Sequence, residues 1–89
     1  MIILKECGQL SKYSPLKQYL ESLLEREITL TFTEIELILG FDLPRSAYTY
    51  SVWWANDKTH NQAEQSWLAA GWETCNVLLN NRVTFRKTR

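Results

Sequence analysis

The chain has 89 residues, 45% of them hydrophobic and 22% charged, with a formal net charge of zero. That length and composition fit one folded domain with a modest core and exclude a disordered chain. No apolar run is long enough to span a bilayer, and the zero net charge is unevenly laid out, an acidic body with a basic end that points to an anionic partner there or merely keeps an edge strand soluble.

The first six residues, Met1-Ile2-Ile3-Leu4-Lys5-Glu6, have too short an apolar stretch and no basic lead for a signal peptide, so a cytoplasmic protein is expected. Residues 1–13 read as a short strand and a loop. Ser14-Pro15 then opens a helix over roughly residues 15–26, because serine caps free amides and proline tolerates the first helical position. Leu16, Tyr19, Leu20, Leu23 and Leu24 make its apolar stripe, and Lys17 can pair with Glu21 on the wet side. Ile28 to Phe32 alternates and is β-branched, which predicts a strand. Thr33 with Glu36 has the spacing of a capping box for a second helix that stops at Gly40. After a turn, Pro44 starts a third, shorter helix through Arg45, Ser46 and Ala47; Tyr48 to Trp54 fits strand, helix or irregular chain equally. Thr59 and Gln62 suggest a second capping box, for a fourth helix running to about Ala70 with Gly71 as its stop.

Trp72–Leu79 and Arg82–Lys87 form a hairpin across Asn80-Asn81. A three-residue loop puts Cys75, Val77 and Leu79 on one face with Val83 and Phe85, and Asn76, Thr84 and Arg86 on the other. Cys75 reads as a small buried hydrophobe, and its distance from Cys7 and the single histidine leave no zinc spacing. The expected fold is a single α+β domain over residues 1–89: four short helices, the C-terminal hairpin and a short third strand. Thr31 to Asn56 has the outline of a helix-turn-helix. The hairpin would be its wing, leaning on Ile28–Phe32. The expected core is Leu16, Leu20, Leu23, Leu30, Ile35, Ile38, Trp67, Val77 and Phe85.

Trp53, Trp54, Trp67 and Trp72 fall within twenty residues, with Tyr48 and Tyr50 just ahead. Each indole can bury roughly 200 Å², up to ~5 kcal/mol before entropy is subtracted, so at least two should be core. Trp53 and Trp54 are adjacent and cannot both point inward.

The segments Lys12-Tyr13-Ser14-Pro15-Leu16, Tyr19-Leu20, Leu30-Thr31-Phe32-Thr33-Glu34-Ile35-Glu36, Leu39-Gly40, Leu43-Pro44-Arg45-Ser46-Ala47, Trp53-Trp54-Ala55-Asn56, His60, Ala63, Trp67, Ala70-Gly71-Trp72 and Val83-Thr84-Phe85 form a dense pattern. On these residues the chain resembles an uncharacterised bacterial and phage family known only as a domain of unknown function. The resemblance implies a complete domain of bacterial or phage origin. It implies no activity and no site residue.

An enzyme would need a base, an orienting partner and a nucleophile. His60 is the only histidine, Asp57 and Glu64 are near it in sequence, and Ser46 and Ser66 are nucleophiles only in name; no phosphate loop or nucleophile elbow exists. No catalytic residue, cofactor or metal is therefore expected. Nucleic-acid recognition has more to work with. Arg45, Tyr48 and Tyr50 follow the turn after the second helix, where such side chains reach bases. Asn56, Lys58, His60, Asn61 and Gln62 precede or open the next helix. Arg82 and Arg86 could follow the backbone. Against this, residues 1–79 carry six Lys/Arg and ten Asp/Glu, and only the last ten residues are basic. The alternatives are a protein-interaction module that docks through an exposed indole with Arg45 or Tyr50 on a second copy of itself or, as a phage inhibitor, on a host defence complex, and a nucleotide-like ligand stacked on tryptophan with Asn56 or Gln62 reading its edge.

Overall fold

The structure, a computed structural model, describes residues 12–88. The expected N-terminal strand and Cys7 lie outside the described residues.

Helix α1 is Ser14–Glu21, with Tyr13 at the cap position and proline in the first turn. It buries Leu16 and Leu20, and Lys17 meets Glu21 at 3.2 Å on its outer side. The helix ends about a turn earlier than its apolar stripe predicts. Residues 23–26 instead run to the end of the sheet, where the Arg26 carbonyl accepts the Lys87 amide at 2.8 Å and the Leu23 carbonyl accepts Lys87 Nζ at 3.2 Å. Leu24 thereby leaves the stripe and stands 93% exposed.

Strand β1, Glu27–Thr31, leads directly into helix α2, Phe32–Leu39. The capping box here is Thr31 with Glu34, two residues ahead of the expected Thr33 and Glu36. The sheet explains the shift: Thr31 pairs with Arg82, the first residue of β3, so Phe32 has no strand residue opposite it. Its amide bonds the loop carbonyl of Asn81 at 2.9 Å, and the chain coils from that point. Gly40 closes α2 at φ +86°, a left-handed conformation that glycine adopts without penalty.

Helix α3, Arg45–Thr49, follows Pro44 and passes into a 3₁₀ turn, Ser51–Trp54. The expected long fourth helix is reduced to α4, Asn61–Glu64, with His60 rather than Thr59 at its cap position. Asp57 captures the Thr59 amide at 2.9 Å and the Thr59 hydroxyl at 2.7 Å, and so removes Thr59 from helix capping. Beyond Glu64 the chain continues as turns; the Leu68 amide reaches the Ala63 carbonyl across a widened turn, at 3.0 Å. Gly71 is the stop, as expected. At φ +83° it lets Trp72 N–H bond Trp67 and Gly71 N–H bond Leu68, a Schellman ending.

Strands β2, Trp72–Leu78, and β3, Arg82–Lys87, are joined by the three-residue loop Leu79-Asn80-Asn81, with Asn80 at φ 60°. The sheet is antiparallel in the order β1-β3-β2, so the hairpin does lean on β1. Its inner face carries Ile28, Leu30, Thr74, Val77, Val83 and Phe85. Its outer face carries Thr29, Asn76, Thr84 and Arg86, the last three as predicted. Cys75 is a correction: a bulge between Thr74 and Asn76 takes it out of the alternation, and it is exposed.

The fold is α+β, with four helices and a three-stranded antiparallel sheet among the described residues. Of the expected core, Leu16, Leu20, Leu30, Ile35, Trp67 and Phe85 are buried, while Leu23, Ile38 and Val77 are only partly covered. Phe32, Leu39, Leu43, Ala47, Trp54, Ala63, Trp72 and Val83 complete the interior. A run of touching rings crosses it: Tyr48 on Phe32, Phe32 on Trp54, Trp54 stacked on Trp67 at 5.8 Å, and Trp67 on Phe85. Trp53 is the half-buried member of its pair; Trp54, Trp67 and Trp72 are each 1% exposed.

Candidate recognition surface

The polar residues singled out from the sequence separate into three groups. Tyr48, Asn56 and Gln62 are engaged with other parts of the fold, Tyr48 and Gln62 half-buried and Asn56 at the surface. Asn56 Nδ2 donates to the Thr74 carbonyl at 2.9 Å, and its Oδ1 accepts the Thr74 amide at 2.9 Å and Trp67 Nε1 at 3.0 Å. Gln62 Nε2 donates to the Trp53 carbonyl at 2.9 Å. The Tyr48 hydroxyl donates to the Glu36 carboxylate, which also accepts the Leu43 amide at 2.9 Å. That hydrogen bond, then burial, then the charges of Glu36 and Asp42 push the Tyr48 hydroxyl up to about 12.

The second group faces solvent. Arg45 is exposed at the start of α3, and Tyr50 follows its end at 59% exposure, with Val52 beside it in sequence at 62%. Lys58 and Asn61 are exposed, and Lys58 borders a shallow groove of about 210 Å³ with Glu64, Leu68 and Ala69. His60 is half-buried, with Nδ1 inside and without a hydrogen-bond partner among the described residues. The Asp57 carboxylate is held below the ordinary range by the Thr59 amide, then by the Thr59 hydroxyl.

The third group is the hairpin. Arg86 is bound to Glu73, Nη2 to Oε2 at 2.7 Å and Nε to the same oxygen at 3.3 Å, which holds its guanidinium even more firmly protonated. Among the described residues the Arg82 side chain makes one hydrogen bond, to Asn81 Oδ1 at 3.2 Å. The two arginines are thus unequal, and the register makes them so: Glu73 and Glu27 both lie opposite Arg86, whereas Leu78 and Thr31 lie opposite Arg82. Cross-strand pairing was the signal that could have separated them in the sequence.

Among the described residues no helix is long and apolar enough to cross a membrane, and no group of three or more His, Cys, Asp or Glu is placed to hold a metal ion. What fold and surface together define is a small α+β domain with an aromatic interior and a polar, partly basic exterior.

Residues 13–89 match the family model described as Domain of unknown function (DUF7662), and the chain belongs to that family. No curated protein and no solved structure matches the chain.

Proposed function

We propose that the domain is a non-catalytic recognition module of bacterial or phage origin, working in the cytoplasm. It binds nucleic acid through its helix-turn-helix-like segment, α2 to α3, with the basic hairpin as a wing. One observation carries this reading: the hairpin loop is tied to the head of α2. Asn81 accepts the Phe32 amide at 2.9 Å, and β1 joins β3 on one side and α2 on the other. The hairpin tip and the helix pair are therefore held as one unit, which is what a wing beside a helix-turn-helix requires. The absence of catalysis rests on His60, whose neighbouring carboxylate, Asp57, is turned to Thr59 instead of orienting the imidazole.

Helix α3 has five residues, too few to line a groove with many base contacts. Phosphate contacts by Arg45, Lys58 and Arg82 then supply most of the affinity, with little sequence preference and a steep response to salt. Fluorescence anisotropy on labelled random duplex and single strand tests this. With about three phosphate contacts, affinity should fall roughly forty-fold between about 50 and 200 mM salt. No binding to either at the lower salt would end the nucleic-acid reading.

A protein partner or a second copy is the other reading, and Tyr50 and Val52 favour it. Two exposed apolar side chains near Arg45 in sequence are the material of an interface anchor. Light scattering that gives a dimer mass, lost on Tyr50→Ala, would move the assignment there. A nucleotide-like pocket is not carried forward, because the Asn56 and Gln62 amides it relies on already bond Thr74 and Trp53.

A further inference from the structure

We propose that the outer face of the hairpin holds an oxyanion subsite made by Arg82, Thr84 and Asn76, and that its ligand is a phosphate group. That the phosphate belongs to a nucleic-acid backbone rests on the function proposed above; the subsite itself does not.

Asn76 pairs with Thr84 and Leu78 with Arg82, so the four side chains form a square on one face of two adjacent strands. They line a concavity of about 190 Å³. Three of them bring hydrogen-bond donors to it. The Arg82 guanidinium has five N–H groups, and one hydrogen bond within the described residues, to Asn81, occupies only one of them. The Asn76 amide has no partner among the described residues. The Thr84 hydroxyl shares a hydrogen bond with Thr29 at 2.8 Å; when Thr29 donates, the Thr84 hydrogen is available to a ligand. A planar guanidinium with a hydroxyl and an amide beside it suits the several acceptor oxygens of a phosphate. Leu78, 48% exposed, gives the concavity an apolar wall. The bulge immediately before Asn76 twists the strand there, a feature that often re-aims a side chain beside a binding site.

The charge pattern separates this spot from the rest of the face. Two residues along β3, Arg86 is ion-paired with Glu73 and has Glu27 on its other side. An anion approaching there meets a row that is net negative. Opposite Arg82 stand Thr31 and Leu78, and the acid nearest Thr31 in sequence, Glu34, already accepts the Thr31 amide in the capping box.

The experiment is a ¹⁵N–¹H correlation titration of the whole chain with inorganic phosphate against a chloride control, then with a short duplex, in the native protein, Arg82→Gln and Arg86→Gln. Phosphate should move the Asn76 side-chain and Thr84 backbone signals in the native protein and in Arg86→Gln, but not in Arg82→Gln. Retained signal dispersion in each variant confirms that it is folded. Duplex affinity should fall about tenfold in Arg82→Gln, with a salt slope smaller by about one. If neither probe moves the Asn76 and Thr84 signals, the subsite is wrong. Duplex binding that leaves both signals unmoved overturns the subsite while the nucleic-acid reading survives. Phosphate binding at these residues without binding of duplex or single strand upholds the subsite as a free-anion site and removes the nucleic-acid source.

Discussion

At Asn56 a side-chain amide meets the backbone of Thr74 as a neighbouring strand would, donating to its carbonyl and accepting its amide. Strand β2 is at the edge of the sheet, and this contact with the adjacent bulge covers a stretch that would otherwise be open to another chain. The same oxygen accepts the indole N–H of Trp67 and the Thr74 hydroxyl, so one residue meets four groups at the core boundary. Asn56→Ala should lower stability by about 2–3 kcal/mol, because it leaves buried partners unpaired. Urea unfolding measures it; an unchanged midpoint would show that water replaces the amide without cost. Tyr48 and Glu36 make a second such contact, with a pH signature. The Tyr48 hydroxyl is raised from the ordinary tyrosine value of 10.0 to about 12, so its contribution is complete below the unfolded value. It is lost as pH rises from about 10 through about 12. Tyr48→Phe should be less stable at neutral pH by about 1–2 kcal/mol. It should also lack this part of the alkaline decline, read from unfolding midpoints across pH 8 to 12.

Among the elements, α2 shows how a strand register decides where a helix begins. Thr31 and Thr33 both stand three residues ahead of a glutamate, and local spacing cannot rank them. Pairing of Thr31 with Arg82 ends the sheet at that row and selects the earlier box. Thr31→Ala should therefore destabilise the domain by about 1 kcal/mol, and Thr33→Ala, at an exposed helical position, should be neutral or stabilising by a few tenths. Thermal melts of the two variants check the order, and a reversed order would place the cap at Thr33. The region from Asn56 to Ala70 teaches the complementary lesson. Its helical spacing was legible, yet capture of Thr59 by Asp57 and the widened turn at Leu68 leave only one regular turn, Asn61–Glu64. Those local bonds compete with the helix on nearly equal terms, so periodicity alone overstates its length.

At the scale of the molecule, the α+β class, the hairpin with its three-residue loop, the stops at Gly40 and Gly71, and the burial of at least two indoles were all readable in the chain. Each depends on residues close together in sequence or on a strong apolar pattern. The candidate surface was less legible. Arg45, Tyr50 and Lys58 are exposed, but Asn56, Gln62 and Tyr48 are polar residues whose partners, Thr74, Trp53 and Glu36, lie up to eighteen positions away. Nothing in their identity distinguishes a side chain that reads a ligand from one that closes the fold. Arg82 and Arg86 look alike in a basic tail, and only the strand pairing that sets glutamates opposite one of them makes them different. Local chemistry determined which elements this chain forms, because caps, turns and alternation act over a few residues. Tertiary structure alone decided which polar groups remain available, because a hydrogen bond made across the fold is invisible until the two segments meet.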